Sequence, residues 1–277
     1  MGESRLEKYL SNPAKGLWKL AIPVMAGMGI QTIYSIVDMI FIGRLSGDAI
    51  AAVAFNMPLF FFVLGLTFGL GAGVTASIAR FIGAKDKINA DNSAEHAVVL
   101  GLGVSVVLTT VGLIYGKPIL ISIGATPNVA DLSWSYLRVI CIGLPFMVLS
   151  AFFRSILAGE GDTKFPMTVA ALGTVMNIIL DPIFIFTLGF GVPGAAWATV
   201  ISQIIVFIIF VYMLFVKEHS YITFRLKDFK PSSFIMKDII KVGFPASISM
   251  VIMSIGQLVF NRILVHFSTD AVAAYQI

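Results

Sequence analysis

Seven stretches of this chain contain no aspartate, glutamate, lysine or arginine: residues 20–37, 49–79, 96–116, 139–153, 165–180, 182–216 and 242–261. A helix needs about 20 apolar residues to cross the roughly 30 Å hydrocarbon layer of a bilayer. Some of the shorter runs join across a single charge into one helix, and the spans are predicted at roughly 20–43, 54–79, 94–115, 132–154, 166–187, 193–215 and 240–265. Barrel strands would alternate apolar and polar residues, and these runs do not. The expected fold class is an all-α integral membrane protein, a polytopic helical bundle. Only 12% of the residues are charged and the mean hydropathy is +0.94. Such a composition excludes a water-soluble enzyme, a nucleic-acid reader and a disordered tail. Cys141 is the single cysteine, so an intrachain disulfide and a multi-thiolate metal site are excluded. His96, His219 and His266 are scattered without ligand spacing. The first apolar run is too long for a signal peptide, and no small-residue cleavage site follows it.

Lysine and arginine set the orientation of the spans. Most lie in the tail, with Lys15 and Lys19, and in the even connections, with Arg80, Lys85, Lys87, Arg154, Lys164, Lys217, Lys230, Lys237 and Lys241. Across the membrane stand only Arg44, Lys117 and Arg262, while Arg138 falls within span four. The amino terminus is therefore expected in the cytoplasm of a plasma-membrane protein. The basic excess then reports topology and calls for no nucleic acid.

A shift of 222 residues aligns 17–55 with 239–277 without a gap. Lys19 and Pro23 recur as Lys241 and Pro245, and Ser46-Gly-Asp-Ala-Ile-Ala-Ala52 recurs as Ser268-Thr-Asp-Ala-Val-Ala-Ala274. The copies stand six spans apart, at spans one and seven, so they run in the same direction as a parallel repeat. The expected organisation is a six-helix lobe at 1–216, a cytoplasmic linker at 217–238, and the first helix of a second lobe at 239–277. On this reading the chain is a truncated transporter. Helix seven is then expected to leave Ser247, Ser249, Ser254, Gly256 and Gln257 without lobe partners.

An ionisable group at bilayer depth costs several kcal/mol, so each one points to function. Asp38 lies in span one and Asp181 in span five, with Asn177 one turn before it on the same face. Thr199 lies in span six and Tyr136 near the start of span four. At 1.5 Å per residue, Asp38, Asp181 and Asn177 fall about 27, 22 and 16 Å from the cytoplasmic edge. Tyr136 and Thr199 fall about 6 and 9 Å below the outer edge. Four helices thus bring polar groups to the middle and outer membrane. Burial and a neighbouring carboxylate both penalise a second negative charge. The set suits a proton or sodium site, with Asn177 and Thr199 completing an oxygen cage. Plainer readings stand beside this one. Asp38 could face interfacial water, Asp181-Pro182 could mark a kink, Thr199 could bond its own helix, and Tyr136 could belong to an aromatic belt. Gly65, Gly69 and Gly73 line one face of span two and read as close helix packing. The loop Ala158-Gly-Glu-Gly-Asp162 lacks the strand and spacing of a phosphate loop.

Several motifs, taken in order, resemble the multidrug and toxic compound extrusion (MATE) family. They are Ile22-Pro23, Tyr34-Ser-Ile-Val-Asp-Met-Ile-Phe-Ile-Gly43, Ser46-Gly-Asp-Ala-Ile-Ala-Ala52, Arg154-Ser-Ile-Leu-Ala-Gly-Glu-Gly-Asp-Thr-Lys-Phe-Pro166, Asn177-Ile-Ile-Leu-Asp-Pro182 and Gly191-Val-Pro-Gly-Ala-Ala-Trp-Ala-Thr199. The resemblance implies twelve helices in two lobes and cation-driven antiport of drug-like or cationic small molecules, with no cofactor beyond the coupling H+ or Na+. It is similar to the DinF-like branch, because residues 242–264 carry no acid and Met253 stands where a NorM-like acid is expected. That branch implies a cation site at Asp38, Asn177, Asp181 and Thr199, with Tyr136 lining the same cavity. A lipid-linked oligosaccharide flippase of the same superfamily is a second reading, for which Arg138 is the only support. A membrane assembly subunit without transport activity is a third. An enzyme would need clustered nucleophiles or His/Asp groups near a membrane face, and the sequence has none.

Overall fold

The computed structural model describes residues 13–224, 229–265 and 275. The repeat block Ser268–Ala274, His266 and the basic residues Arg5, Lys8, Arg225 and Lys227 lie outside the described residues.

Seven helices long and apolar enough to span a membrane make up the described residues. They are α1 (Pro13–Gly43), α2 (Gly47–Gly83), α3 (Lys87–Ser122), α4 (Pro127–Gly159), α5 (Lys164–Pro182), α6 (Val192–Val211) and α7 (Ser233–Val265). Wide π-helical turns extend α5 through Ile183–Thr187 and α6 through Tyr212–Val216. The helices outrun the expected spans because their ends are capped beyond the apolar runs. Ser46 Oγ accepts from the Ala49 amide at 3.0 Å to start α2, and Asp86 Oδ1 accepts from the Asn89 amide at 3.1 Å to start α3. Each bond satisfies a donor that the first helical turn would leave open.

The packing makes a ring. α1 touches α2, α2 touches α4, α4 touches α6, α6 touches α5, and α5 returns to α1. α3 lies outside the ring against α2 and α4. The apolar core between α2, α3, α4 and α6 holds the fully buried Phe55, Ile78, Phe152, Ile156 and Phe210. Small residues set how closely the helices approach. A Cβ on Gly143 of α4 would lie 2.5 Å from Val200 of α6. One on Gly65 of α2 would lie 2.7 Å from Met250 Cβ of α7, and one on Gly69 would overlap the Ser247 backbone.

α7 packs most extensively on α2. This corrects the expectation for two of its polar positions. Ser254 Oγ donates to the Pro58 carbonyl at 2.7 Å, and Ser247 is buried against Gly69 while its Oγ donates to the Gly243 carbonyl at 2.9 Å. α2 thus supplies what a further lobe was expected to supply. Pro58 leaves no N–H on its own residue but offers its carbonyl to Ser254, a link that spacing along one helix does not reveal. Ser249 bonds its own helix at Ala246, and Gly256 faces open space.

The connection between α6 and α7 is tied to the bundle. Glu160 Oε2 accepts from Ser220 Oγ at 2.7 Å and from the Tyr221 amide at 2.8 Å. Asp162 meets His219 Nε2 at 3.0 Å and caps the start of α5 through the Phe165 amide at 3.1 Å. The acids of the 158–162 loop therefore hold backbone and linker. On the other side of the linker, the Ser232 amide donates to His96 Nε2 at 2.8 Å.

Two glycine replacements should act with opposite sign. Gly69→Ala places a methyl into the Ser247 backbone and should destabilise the protein by about 1–3 kcal/mol. Gly29→Ala in α1 meets nothing within 4 Å and should stabilise by about 0.5–1 kcal/mol through helix propensity. Thermal unfolding in detergent measures both, and a stable Gly69→Ala protein would refute the close α2–α7 contact.

Candidate functional site

The site is built where α5 reverses into α6. Pro182 has no N–H to continue the helical ladder. The chain widens after it, and the Leu188 amide donates to the Ile183 carbonyl at 2.8 Å. Gly189 and Gly191 then take positive φ angles of 68° and 60°, which favour glycine. The start of α6 comes so close that a Cβ on Gly194 would lie 2.7 Å from the Phe184 carbonyl oxygen. This tight reversal sets Thr199 beside Asn177. α1 is held against α5 by a separate contact, with Thr163 Oγ1 donating to the Leu20 carbonyl at 3.1 Å and Gly27 lying against Met167.

Thr199 is the hub of the polar network. Its hydroxyl donates to the Ala195 carbonyl at 3.1 Å, which uses its one proton. It then accepts, at 3.4 Å each, from Asn177 Nδ2 and from the Tyr34 hydroxyl. Helices α1, α5 and α6 are thereby joined at one oxygen. Thr199 does bond its own helix, and it also does more than that.

Asp38 and Asp181 project from α1 and α5 toward each other. Their carboxyl groups are near enough to share a hydrogen bond when one carries a proton. Asp181 is fully buried and Asn177 is 4% exposed, while Asp38 is half-buried. Four buried oxygens here accept no hydrogen bond from the described residues: Asp38 Oδ1, Asn177 Oδ1, and Oδ1 and Oδ2 of Asp181. Neither carboxylate pairs with a lysine or arginine among the described residues. Buried acceptors left without donors are costly, and charged ones most of all. Oxygen-only donors of this kind suit a proton or a small hard cation. Among the described residues no three His, Cys, Asp or Glu gather as a polyvalent metal would require.

Tyr136 packs between two apolar clusters, one containing Ile42, Ile185 and Val192 and the other containing Val139 and Val200. It lies within electrostatic range of both aspartates. The structure thus brings Asp38, Asn177, Asp181, Thr199 and Tyr136 to one place inside the ring. Arg138 is not among them. Tyr34 is the residue that the sequence reading did not single out. Its signal was present, because it stands one helical turn before Asp38 and so shares its face.

Asp181→Asn should stabilise the protein. The amide removes a buried charge and can donate to Asp38, for a gain of about 1–3 kcal/mol at alkaline pH without sodium. A raised unfolding midpoint by tryptophan fluorescence is expected. A lowered midpoint would show that the carboxylate is satisfied in some other way.

The MatE family profile matches residues 23–183. The multidrug export protein MepA of Staphylococcus aureus (strain MRSA252) is 30% identical over 281 aligned positions, covering 100% of this chain and 62% of MepA. A multidrug resistance MATE family transporter of the MOP superfamily, solved in an outward-facing conformation, superposes with a TM-score of 0.88 at 40% identity, over 95% of this chain and 59% of that one. A MOP superfamily transporter from Pyrococcus furiosus Vc1 (DSM3638) superposes with a TM-score of 0.85 at 42% identity, over 88% of this chain and 54% of that one. The chain therefore spans rather more than half the length of the relatives it matches.

Proposed function

The chain belongs to the MatE family, and we propose that it forms the ion-coupling lobe of a secondary transporter that exports drug-like or cationic small molecules in exchange for H+ or Na+. The observation that carries this reading is the facing pair Asp38 and Asp181, whose buried oxygens lack donors among the described residues. The multidrug export named for relatives such as MepA supports it.

Antiport requires that cation and substrate bind in alternation. Here a proton or sodium ion joins the carboxylates of α1 and α5, with the carbonyl oxygen of Asn177 beside them. The cation thereby draws α1 toward α5 and neutralises charge that a cationic substrate would otherwise engage. Tyr34 and Asn177 transmit the change to α6, because both bond at the Thr199 hydroxyl. Pro182 and the wide turn after it leave the outer end of α5 with a loosened hydrogen-bond ladder, where bending is cheapest. The lobe then rocks against a second lobe, the partner that alternating access needs. The amino terminus lies in the cytoplasm and the membrane is the plasma membrane. An oligosaccharide flippase would need cationic groups at the pocket for its phosphates, and the neighbours found there are acids, hydroxyls and an amide.

Cation sensitivity of substrate binding tests the reading. The purified chain in nanodiscs is titrated with ethidium, a fluorescent organic cation, at varied pH and sodium. Acid or sodium should weaken ethidium binding to the wild type. In Asp38→Asn that sensitivity should fall at least about tenfold, because an amide neither exchanges a proton nor carries full charge. Unaltered sensitivity in the Asp38→Asn protein would remove these residues from the coupling.

A further inference from the structure

Away from the ring, at the end of the bundle opposite the 217–232 connection, α3, α4 and α6 enclose a groove of about 510 Å3. Leu113 comes from α3, Trp134, Arg138 and Ile142 from α4, and Pro193 and Trp197 from α6. Leu113, Ile142 and Trp197 are all exposed, so the groove opens to the surroundings of the bundle. Its one ionic group is Arg138, which is exposed and makes no ion pair or hydrogen bond with another described residue. The acid two turns earlier on the same helix, Asp131, is held by Lys117 at 2.8 Å.

An unpaired arginine on a lipid-facing surface is expensive unless its head reaches a phosphate. Arg138 lies about 9 Å below the start of its span, a depth from which an arginine extends its head toward the headgroups. Two tryptophans beside it mark the same level, since indole rings collect at the membrane interface. Apolar walls below a single guanidinium match a phospholipid: an anionic phosphodiester above and an acyl chain beneath. Guanidinium and phosphate can pair through two parallel hydrogen bonds.

We propose that this groove binds one anionic phospholipid, its phosphate on Arg138 and one acyl chain between Trp134, Ile142 and Trp197. Only the naming of the leaflet, the outer one, rests on the orientation proposed above. The site differs from the Asp38–Asp181 pocket in charge, position and ligand.

Native mass spectrometry of the full chain released from micelles tests the proposal. Phosphatidylglycerol, diacylglycerol with the same acyl chains, and inorganic phosphate are added separately and in competition. The wild type should retain one phosphatidylglycerol and little diacylglycerol, and excess inorganic phosphate should not displace the lipid. Arg138→Ala should lower retention at least tenfold, Arg138→Lys should restore part of it, and Trp197→Ala should weaken it without abolishing headgroup preference. Equal retention by the Arg138→Ala protein would overturn the proposal. So would equal binding of diacylglycerol, which would make the groove merely apolar, or displacement by phosphate, which would make it a free-anion site. The wild-type comparison of the two lipids decides the matter even where Arg138→Ala fails to fold. Asp38→Asn should retain phosphatidylglycerol as the wild type does, which separates this site from ion coupling.

Discussion

Two carboxylates inside one membrane bundle are the most expensive feature of this structure. Each charge in hydrocarbon costs several kcal/mol, and two facing charges repel as well. Several features of the fold bear on holding Asp38 and Asp181 together despite that cost. The ring of α1, α2, α4, α5 and α6 buries Asp181 fully and Asp38 by about half. The reversal through Pro182, Gly189 and Gly191 returns α6 to α5 and supplies the Thr199 hydroxyl. The α1–α5 contact at Gly27 and Met167 holds Asp38 in register with Asp181. Tyr34 turns its hydroxyl and Asn177 one of its two N–H groups to Thr199, and the buried carboxylate oxygens accept from no described residue. Under the proposed function, a pair arranged in this way exchanges a small cation.

Much of the fold was legible because the bilayer simplifies the problem. Spans need about 20 apolar residues, and the charge-free runs mark them directly. Depth was legible too, since Asp38, Asn177, Asp181, Thr199 and Tyr136 could be placed at a common level from rise per residue alone. Rotation about each helix was harder to read. Apolar residues face both lipid and core, so hydropathy alone does not tell which side of α1 carries its partner. Tyr34 went unremarked for that reason, although its spacing from Asp38 placed it on the same face. Two of the polar positions of α7, Ser247 and Ser254, were misjudged because their partners are backbone groups. Ser254 bonds the Pro58 carbonyl, which leaves no mark on the side chains of α2, whereas Ser247 nests at Gly69, on the glycine face that the sequence marks for close packing.

The bundle separates its charges by purpose. Among the described residues, acids without cations lie inside the ring, and an arginine without an acid lies outside it at Arg138. On the cytoplasmic side expected from the basic connections, acids and bases do meet, at Arg80 with Asp238, at Lys87 with Asp91 and at His219 with Asp162. The Arg80–Asp238 pair fastens α7 to the lobe, the His219–Asp162 pair fastens the connection after α6, and Asp91 accepts from the Thr223 amide of that connection at 3.0 Å. The Asp38–Asp181 pair and Arg138 thus differ in sign and in position, and under the two proposals each takes a different exchangeable ligand.

The central claim is that Asp38 and Asp181 act as one site. Difference infrared spectroscopy of the purified chain, stepped between acid and alkaline pH, reads protonated carboxyl groups directly through their C=O stretch. The expected result is one band from a shared proton that disappears or shifts in both Asp38→Asn and Asp181→Asn, and that sodium suppresses. Two independent bands, each lost only in its own variant, would show two unconnected acids and contradict the account.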